Sequence, residues 1–177
     1  MRINFQKQLY LDLVKRAAID KDENIMLIGG LTDDNDDIDT VVGTFKWFLP
    51  SELITQDEKS ASVKKDVLAK SIKNITDQGY DTIVFMHTHP CKTQLDDWLY
   101  APLSPEEIEG QKSIQFMCNM LGAKFFSAVI TGGDVYCWQI DPNSNIPTQV
   151  DCAINGTVVG KRMPKTFVEL LDKLKSK

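Results

Sequence analysis

Hydrophobic residues recur three and four positions apart in four stretches of the chain, a spacing that places them on one face of an α-helix. The second and third stretches are followed by Gly79 and Gly122. Glycine is the residue that most often stands just past the end of a helix. The pattern therefore predicts four amphipathic helices, at Leu9–Ala18, Val63–Ile75, Ile108–Leu121 and Phe167–Leu174.

Short apolar runs between these helices are rich in β-branched and aromatic residues, which predicts strands. Thr82–His89 is predicted as a buried strand that Pro90 ends. Two further pairs of runs flank turn-forming residues, so each pair predicts a hairpin. The hairpins join Asn24–Leu31 to Thr40–Leu49 and Lys124–Thr131 to Val135–Ile140. Because strands alternate with helices, we expect an α/β fold with a single mixed β-sheet flanked by helices.

The composition fits one folded domain spanning residues 1–177, with 42% hydrophobic and 25% charged residues. A formal net charge of -5 argues against nucleic acid as a partner, because no excess of cations is available to neutralise phosphates. No apolar run approaches the roughly 20 residues that cross a bilayer, which argues against a membrane partner. The N-terminus lacks the pattern of a signal peptide and the four cysteines are widely spaced, so we expect a cytoplasmic protein with free thiols.

Both histidines of the chain lie in the segment His87-Thr88-His89-Pro90, at the end of a predicted strand. Alternate strand residues project from the same face, so both imidazoles can be directed at one atom while Thr88 points away. Such a pair suits zinc, whose catalytic sites use about three protein ligands and one open position. The alternative is two unconnected polar residues at a strand end, because His-x-His is a short and common pattern.

A carboxylate for such a site is available in the segment Ser104-Pro105-Glu106-Glu107, which opens the third predicted helix. The same segment fits a capping box, with Ser104 as the N-cap, Pro105 at the first helical position and Glu107 at the third. A Glu107 side chain that reaches back to its own helix N-terminus cannot also reach a metal. The local sequence favours the cap, and both uses remain open.

Three sequence elements together resemble the JAB/MPN family and its JAMM metalloprotease motif, written Glu … His-x-His-Pro … Ser-x-x-Asp. They are Glu23, His87-x-His89-Pro90 and Ser104-x-x-Glu107. The likeness extends over about residues 23–140. It implies the JAB/MPN fold, a cytidine-deaminase-like arrangement of a mixed β-sheet flanked by helices.

The resemblance also implies a role for each matching residue. His87, His89 and Glu107 would bind Zn²⁺, and water would take the fourth position. Glu23 would be the general base that accepts a proton from this water, because zinc lowers the pKa of bound water towards ~7. Ser104 would donate a hydrogen bond to the developing oxyanion.

Two features depart from the family pattern. Glu107 stands where the family has aspartate, so its carboxylate lies one methylene further from the backbone. A segment of 13 residues, 91–103, separates the two halves of the motif. It contains Asp96 and Asp97, which are the alternative source of the third ligand. Cys91, beside the motif, is expected to be a small thiol, with a supplementary metal ligand or a redox brake on the metal as the alternatives.

The resemblance implies a zinc-dependent hydrolase that cleaves a peptide or isopeptide bond. The expected partner is a protein substrate with an extended C-terminal tail, of the ubiquitin-like or sulfur-carrier-like kind. The alternative is a catalytically inactive JAB/MPN module that serves as a protein-binding scaffold. A JAB-like domain acting near DNA is a third, weaker hypothesis, because the chain is acidic.

Overall fold

A computed structural model describes residues 1–56, 61–89, 105–131, 134–140 and 147–158. In those residues the chain forms helices α1 (Lys7–Ile19), α2 (Lys65–Asp77) and α3 (Pro105–Met120), and a 3₁₀ turn at Pro50–Glu52. The strands are β1 (Arg2–Phe5), β2 (Ile25–Thr32), β3 (Ile38–Trp47), β4 (Leu53–Gln56), β5 (Ala61–Val63), β6 (Thr82–His89), β7 (Lys124–Thr131), β8 (Asp134–Ile140), β9 (Pro147–Ile154) and β10 (Thr157–Val158). The predicted C-terminal helix and the predicted Gly132-Gly133 turn lie outside the described residues.

The predicted α/β fold, a mixed sheet flanked by helices in the JAB/MPN arrangement, is wrong, because the strands close into a barrel. Seven strands follow one another in the order β1-β3-β2-β6-β7-β8-β9, and β1 then pairs with β9. The seam is parallel, with Ile3 opposite Cys152 and Phe5 opposite Ile154. Strand β10 extends the sheet beside β9, and β4 pairs with β5 in a separate two-stranded sheet. The main sheet therefore has an inside and an outside instead of two helix-covered faces.

The closing strand β1 was not predicted from the sequence, because it is short and its partners are far away along the chain. It has only four residues, of which Ile3 and Phe5 are buried. Periodicity becomes informative only over longer windows. Its partners on β9 lie roughly 150 positions away in the sequence, and no local pattern records such a pairing. Barrel closure thus depends on two segments that are far apart in the sequence.

Two apolar clusters cover the two sides of the barrel wall. The inner cluster takes side chains from all seven strands and from the buried face of α1, which contributes Leu9, Leu13 and Ala17. The outer cluster lies on β2, β6 and β7 beneath α2 and α3, and includes Phe85 and Ile114. Strand β6 is buried at every position. A polar side chain at its end is therefore held away from bulk water.

Most of the predicted local elements are confirmed. Strand β6 has the predicted bounds, and both predicted hairpins form, as β2–β3 and β7–β8. Gly79 and Gly122 follow α2 and α3 with φ angles of +92° and +72°, which favour glycine. Val63, predicted at the start of the second helix, instead pairs with Leu53 in the small β4–β5 sheet. Among the described helices, none combines the length and the apolar character needed to cross a membrane.

The buried thiols provide a test of this packing. Cys118, Cys137 and Cys152 are free and buried. Burial raises the pKa of Cys118 to about 12, and it also holds the pKa of Cys137 well above its ordinary value. Because the thiolate is the reactive form, we expect a thiol reagent at pH 8 to label none of the three in a native Cys91→Ser variant. All three should react after unfolding in urea. Rapid labelling of the native chain would contradict the buried placement.

Candidate metal centre

Strand β6 carries the two histidines to one end of the barrel wall. His87 and His89 occupy its last alternate positions, on the face that also carries Ile83 and Phe85. Both imidazoles are buried, with 3% and 4% of the residue surface exposed. This is the shared orientation that the His-x-His spacing predicts.

Three potential ligand atoms converge at this end of β6. The Nε2 atoms of His87 and His89 are 3.1 Å apart, and Glu107 Oε1 is 3.1 Å from His87 Nε2. One ligand atom from each of the three residues lies within 4.8 Å of the others. Ligands at about 2.0–2.1 Å from a tetrahedral zinc are about 3.3 Å from one another, which is close to both of the 3.1 Å distances at His87 Nε2. Two nitrogens and one carboxylate oxygen are also a donor set that zinc accepts.

Glu107 reaches the histidines from the first turn of α3. Its carboxylate contacts His87, which is the use that the metal-site interpretation of Ser104-x-x-Glu107 requires. About a third of the Glu107 side chain, 34%, is exposed, whereas both imidazoles are almost completely enclosed. The cluster is therefore open to solvent on the α3 side.

Glu23 approaches the same cluster from the other side. It precedes β2, whose antiparallel register with β6 places Ile25 opposite His87, and hence Glu23 beside His89. Glu23 is 4% exposed, and its Oε1 lies 3.6 Å from His89 Nε2. It does not belong to the group of three converging ligand atoms. Glu23 is therefore placed to accept or donate a proton beside the three converging atoms.

The backbone around Glu23 is fixed by three hydrogen bonds. The Asn24 N–H donates to Thr88 Oγ1 at 3.0 Å, and the Thr88 N–H donates to the Asn24 carbonyl at 2.9 Å. The Gln56 side chain donates from Nε2 to the Glu23 carbonyl at 3.0 Å. Thr88, the residue between the two histidines, thus sets the register that brings Glu23 to His89. This positioning role was missed in the sequence, although the spacing shows that Thr88 faces away from the histidines.

The two imidazoles have opposite electrostatic environments. Burial lowers the pKa of His87, but the hydrogen bond to Glu107 and the negative charges of Glu107 and Glu23 outweigh it, so the pKa is raised above 6.5. Burial, assisted by the charge of His87, lowers the pKa of His89 to about 3. His89 is therefore neutral at neutral pH and offers a lone pair. The negative charges of Glu107 and Glu23, in contrast, favour a positive charge at His87, where the ligand atoms meet.

The structure brings together four of the predicted site residues, namely Glu23, His87, His89 and Glu107. Ser104, the predicted oxyanion donor, lies outside the described residues. The same holds for Asp96 and Asp97, for Cys91 and for the whole of segment 91–103. Their predicted roles stay predictions. Among the described residues, Glu107 supplies the carboxylate.

Comparison with known proteins bears on the fold alone. No protein-family model and no curated protein matches the sequence. The fold is similar to the solution structure of protein DSY2949 from Desulfitobacterium hafniense, with a TM-score of 0.53 and 16% identity over 86% of this chain and 92% of that one. A solution structure of a protein from Salinibacter ruber aligns with a TM-score of 0.46 and 15% identity, over 93% and 98% of the two chains. At such identities the function must be argued from the site.

Proposed function

We propose that this protein is a zinc-dependent hydrolase of peptide or isopeptide bonds, with His87, His89 and Glu107 as metal ligands. The observation that carries the proposal is the convergence of three ligand atoms from these residues within 4.8 Å at a buried strand end. The JAMM-like order of the motif residues supports the same reaction. The proposal concerns the site and not the JAB/MPN fold, because the strands form a closed barrel.

Each residue of the cluster has a distinct task in this proposal. Zinc held by His87, His89 and Glu107 would act as a Lewis acid and lower the pKa of water, which would make hydrolysis of an amide feasible near neutral pH. Glu23 accepts the proton of the attacking water and returns it to the leaving amine, because it lies beside the ligands without joining them. Ser104, three positions before Glu107, stays the predicted donor to the developing oxyanion.

The substrate that we propose is a protein with an extended C-terminal tail of the ubiquitin-like or sulfur-carrier-like kind. The small β4–β5 sheet lies beside the site, because the side chain of Gln56, at the end of β4, donates a hydrogen bond to the carbonyl of Glu23. An extended tail is a shape that can lie along the edge of such a sheet. A cytoplasmic location belongs to the same proposal, and the three free buried thiols are consistent with it.

Zinc stoichiometry tests the metal centre directly. We expect the wild-type chain, stripped with chelator and titrated with zinc, to bind about one ion, because its ligands are already assembled. The Glu107→Ala variant should bind zinc more than about 100-fold more weakly, since loss of a residue that only supports a ligand already costs 10–100-fold. The matched control is Glu109→Ala, because Glu109 lies on the same helix but is 72% exposed and pairs with Lys112.

Two results would contradict the metal centre. If the wild-type chain binds no zinc at micromolar concentration, the cluster is not a metal site and the scaffold hypothesis becomes the leading one. Equal weakening in the Glu107→Ala and Glu109→Ala variants would show that the loss reflects the surface charge of α3 and not ligation.

A further inference from the structure

Gln111 is a buried amide that the fold does not use fully. It is 4% exposed, and its Oε1 has no hydrogen-bond partner among the described residues. An unpaired buried amide oxygen destabilises a fold, and an apolar side chain of similar size avoids this cost. The neighbouring buried glutamine, Gln115, behaves differently, because its Nε2 donates to the Ile140 carbonyl at 2.6 Å. The hydrogen bond to Ile140 explains why a glutamine is buried at position 115, whereas no contact in the described residues explains the buried amide oxygen of Gln111.

Gln111 lies on the helix that carries Glu107 to the candidate metal centre. Glu107 in the first turn contacts His87, and further along the helix Ile114 packs in the cluster that contains Phe85. Helix α3 therefore runs from the carboxyl end of β6 towards its amino end, with Gln111 one turn beyond Glu107. Long side chains in a helix lean towards the helix N-terminus. Gln111 stands four positions after Glu107, so the two side chains lie on the same side of α3, the side from which Glu107 reaches His87.

A ligating imidazole needs an acceptor of this kind. When a histidine binds metal through Nε2, its other ring nitrogen, Nδ1, carries a hydrogen, and this N–H is almost always donated to an oxygen acceptor. We propose that Gln111 is a positioning residue of the metal centre, whose Oε1 accepts the Nδ1–H of His87 when His87 binds zinc through Nε2. This inference rests on the proposed zinc site but not on the hydrolytic activity.

The proposal predicts an unusual combination of effects for Gln111→Leu. Zinc binding should weaken about 10–100-fold, because the His87 ring loses the acceptor that orients it. The melting temperature of the metal-free chain should stay the same or rise, because an unpaired buried amide is replaced by an apolar group. The control Gln115→Leu should show the opposite combination, with a lower melting temperature and unchanged zinc affinity, because it leaves the Ile140 carbonyl unpaired.

The ring protons of His87 provide a direct readout. The chain has only two histidines, so the ¹⁵N-coupled imidazole signals can be assigned with a single His→Ala variant. In the zinc-loaded wild-type chain we expect a slowly exchanging Nδ1–H on His87, and in Gln111→Leu we expect that proton to exchange with water. A merely structural role for Gln111 would not move this signal.

The possible failures can be told apart. If the wild-type chain binds no zinc, the metal centre and this inference are overturned together. If the wild-type chain binds zinc and Gln111→Leu binds it equally well, only the role of Gln111 is overturned. A fall in the melting temperature of metal-free Gln111→Leu would also overturn it, because the amide would then be serving the fold.

Discussion

Glu23→Gln is expected to retain zinc and to lose almost all hydrolytic activity. Glutamine has the shape of glutamate but cannot take up a proton from water, and general base catalysis contributes typically 10²–10⁴-fold to a rate. The ligand group does not include Glu23, so its amide variant should bind zinc as the wild-type chain does. The measurement is hydrolysis of a fluorogenic amide at the C-terminal tail of a ubiquitin-like protein, beside a zinc titration of the same samples.

The control for this experiment is Glu109→Gln, the same chemical change at an exposed position of α3. It should leave the rate unchanged. A Glu23→Gln variant that hydrolyses the probe at the wild-type rate would remove Glu23 from the catalytic machinery. A zinc-loaded wild-type chain that hydrolyses no such amide would contradict the proposed peptidase activity while leaving the metal centre intact.

Phe5→Ala is expected to cost about 3–5 kcal/mol of the free energy of unfolding, the loss typical of a large aromatic residue in a core. Phe5 is completely buried in the inner cluster and lies on the strand that closes the barrel. For a chain of this size each kcal/mol shifts the melting temperature by roughly 2–4 °C, so the melting temperature should fall by roughly 6–20 °C. Urea unfolding followed by circular dichroism gives the free energy of unfolding, and a thermal scan gives the melting temperature.

The control is Leu11→Ala on the outer side of α1, where the side chain is 46% exposed and little is lost. The milder Phe5→Leu variant keeps the measurement possible if Phe5→Ala does not fold, and should lie between Phe5→Ala and the wild-type chain. A cost below about 1 kcal/mol for Phe5→Ala, as for a surface position, would mean that β1 does not close the barrel.

The local part of this fold could be predicted from sequence, and the non-local part could not. Thr82–His89 has a strand composition and a proline behind it, so its bounds follow from neighbouring residues alone. The pairing of Ile3 with Cys152 depends on residues at opposite ends of the chain, and neither end contains a signal for the other. The predicted flanked sheet failed for this reason, even though its component strands were largely right.

In the candidate site, too, the local features could be predicted from sequence and the non-local ones could not. His87 and His89 could be placed on one face because alternation along a strand is a local rule. The competing uses of Glu107 could not be separated by sequence, because a capping box and a metal ligand require the same residue at the same position. The structure places its carboxylate 3.1 Å from His87, a distance set by how α3 packs on the sheet, where its main neighbour is β7. The burial of Gln111 and its unpaired amide oxygen likewise follow from helix packing and could not be predicted from the sequence.

The seam between β1 and β9 also determines the order in which a growing chain can complete its structure. Residues 2–5 are made well before their partner strand, Pro147–Ile154, which lies roughly 150 positions later in the sequence. The cluster residues, from Glu23 to Glu107, are all synthesised before that strand. A nascent chain therefore contains the candidate metal-binding residues while its barrel is still open, and the β9 side of β1 stays unpaired until β9 has been made.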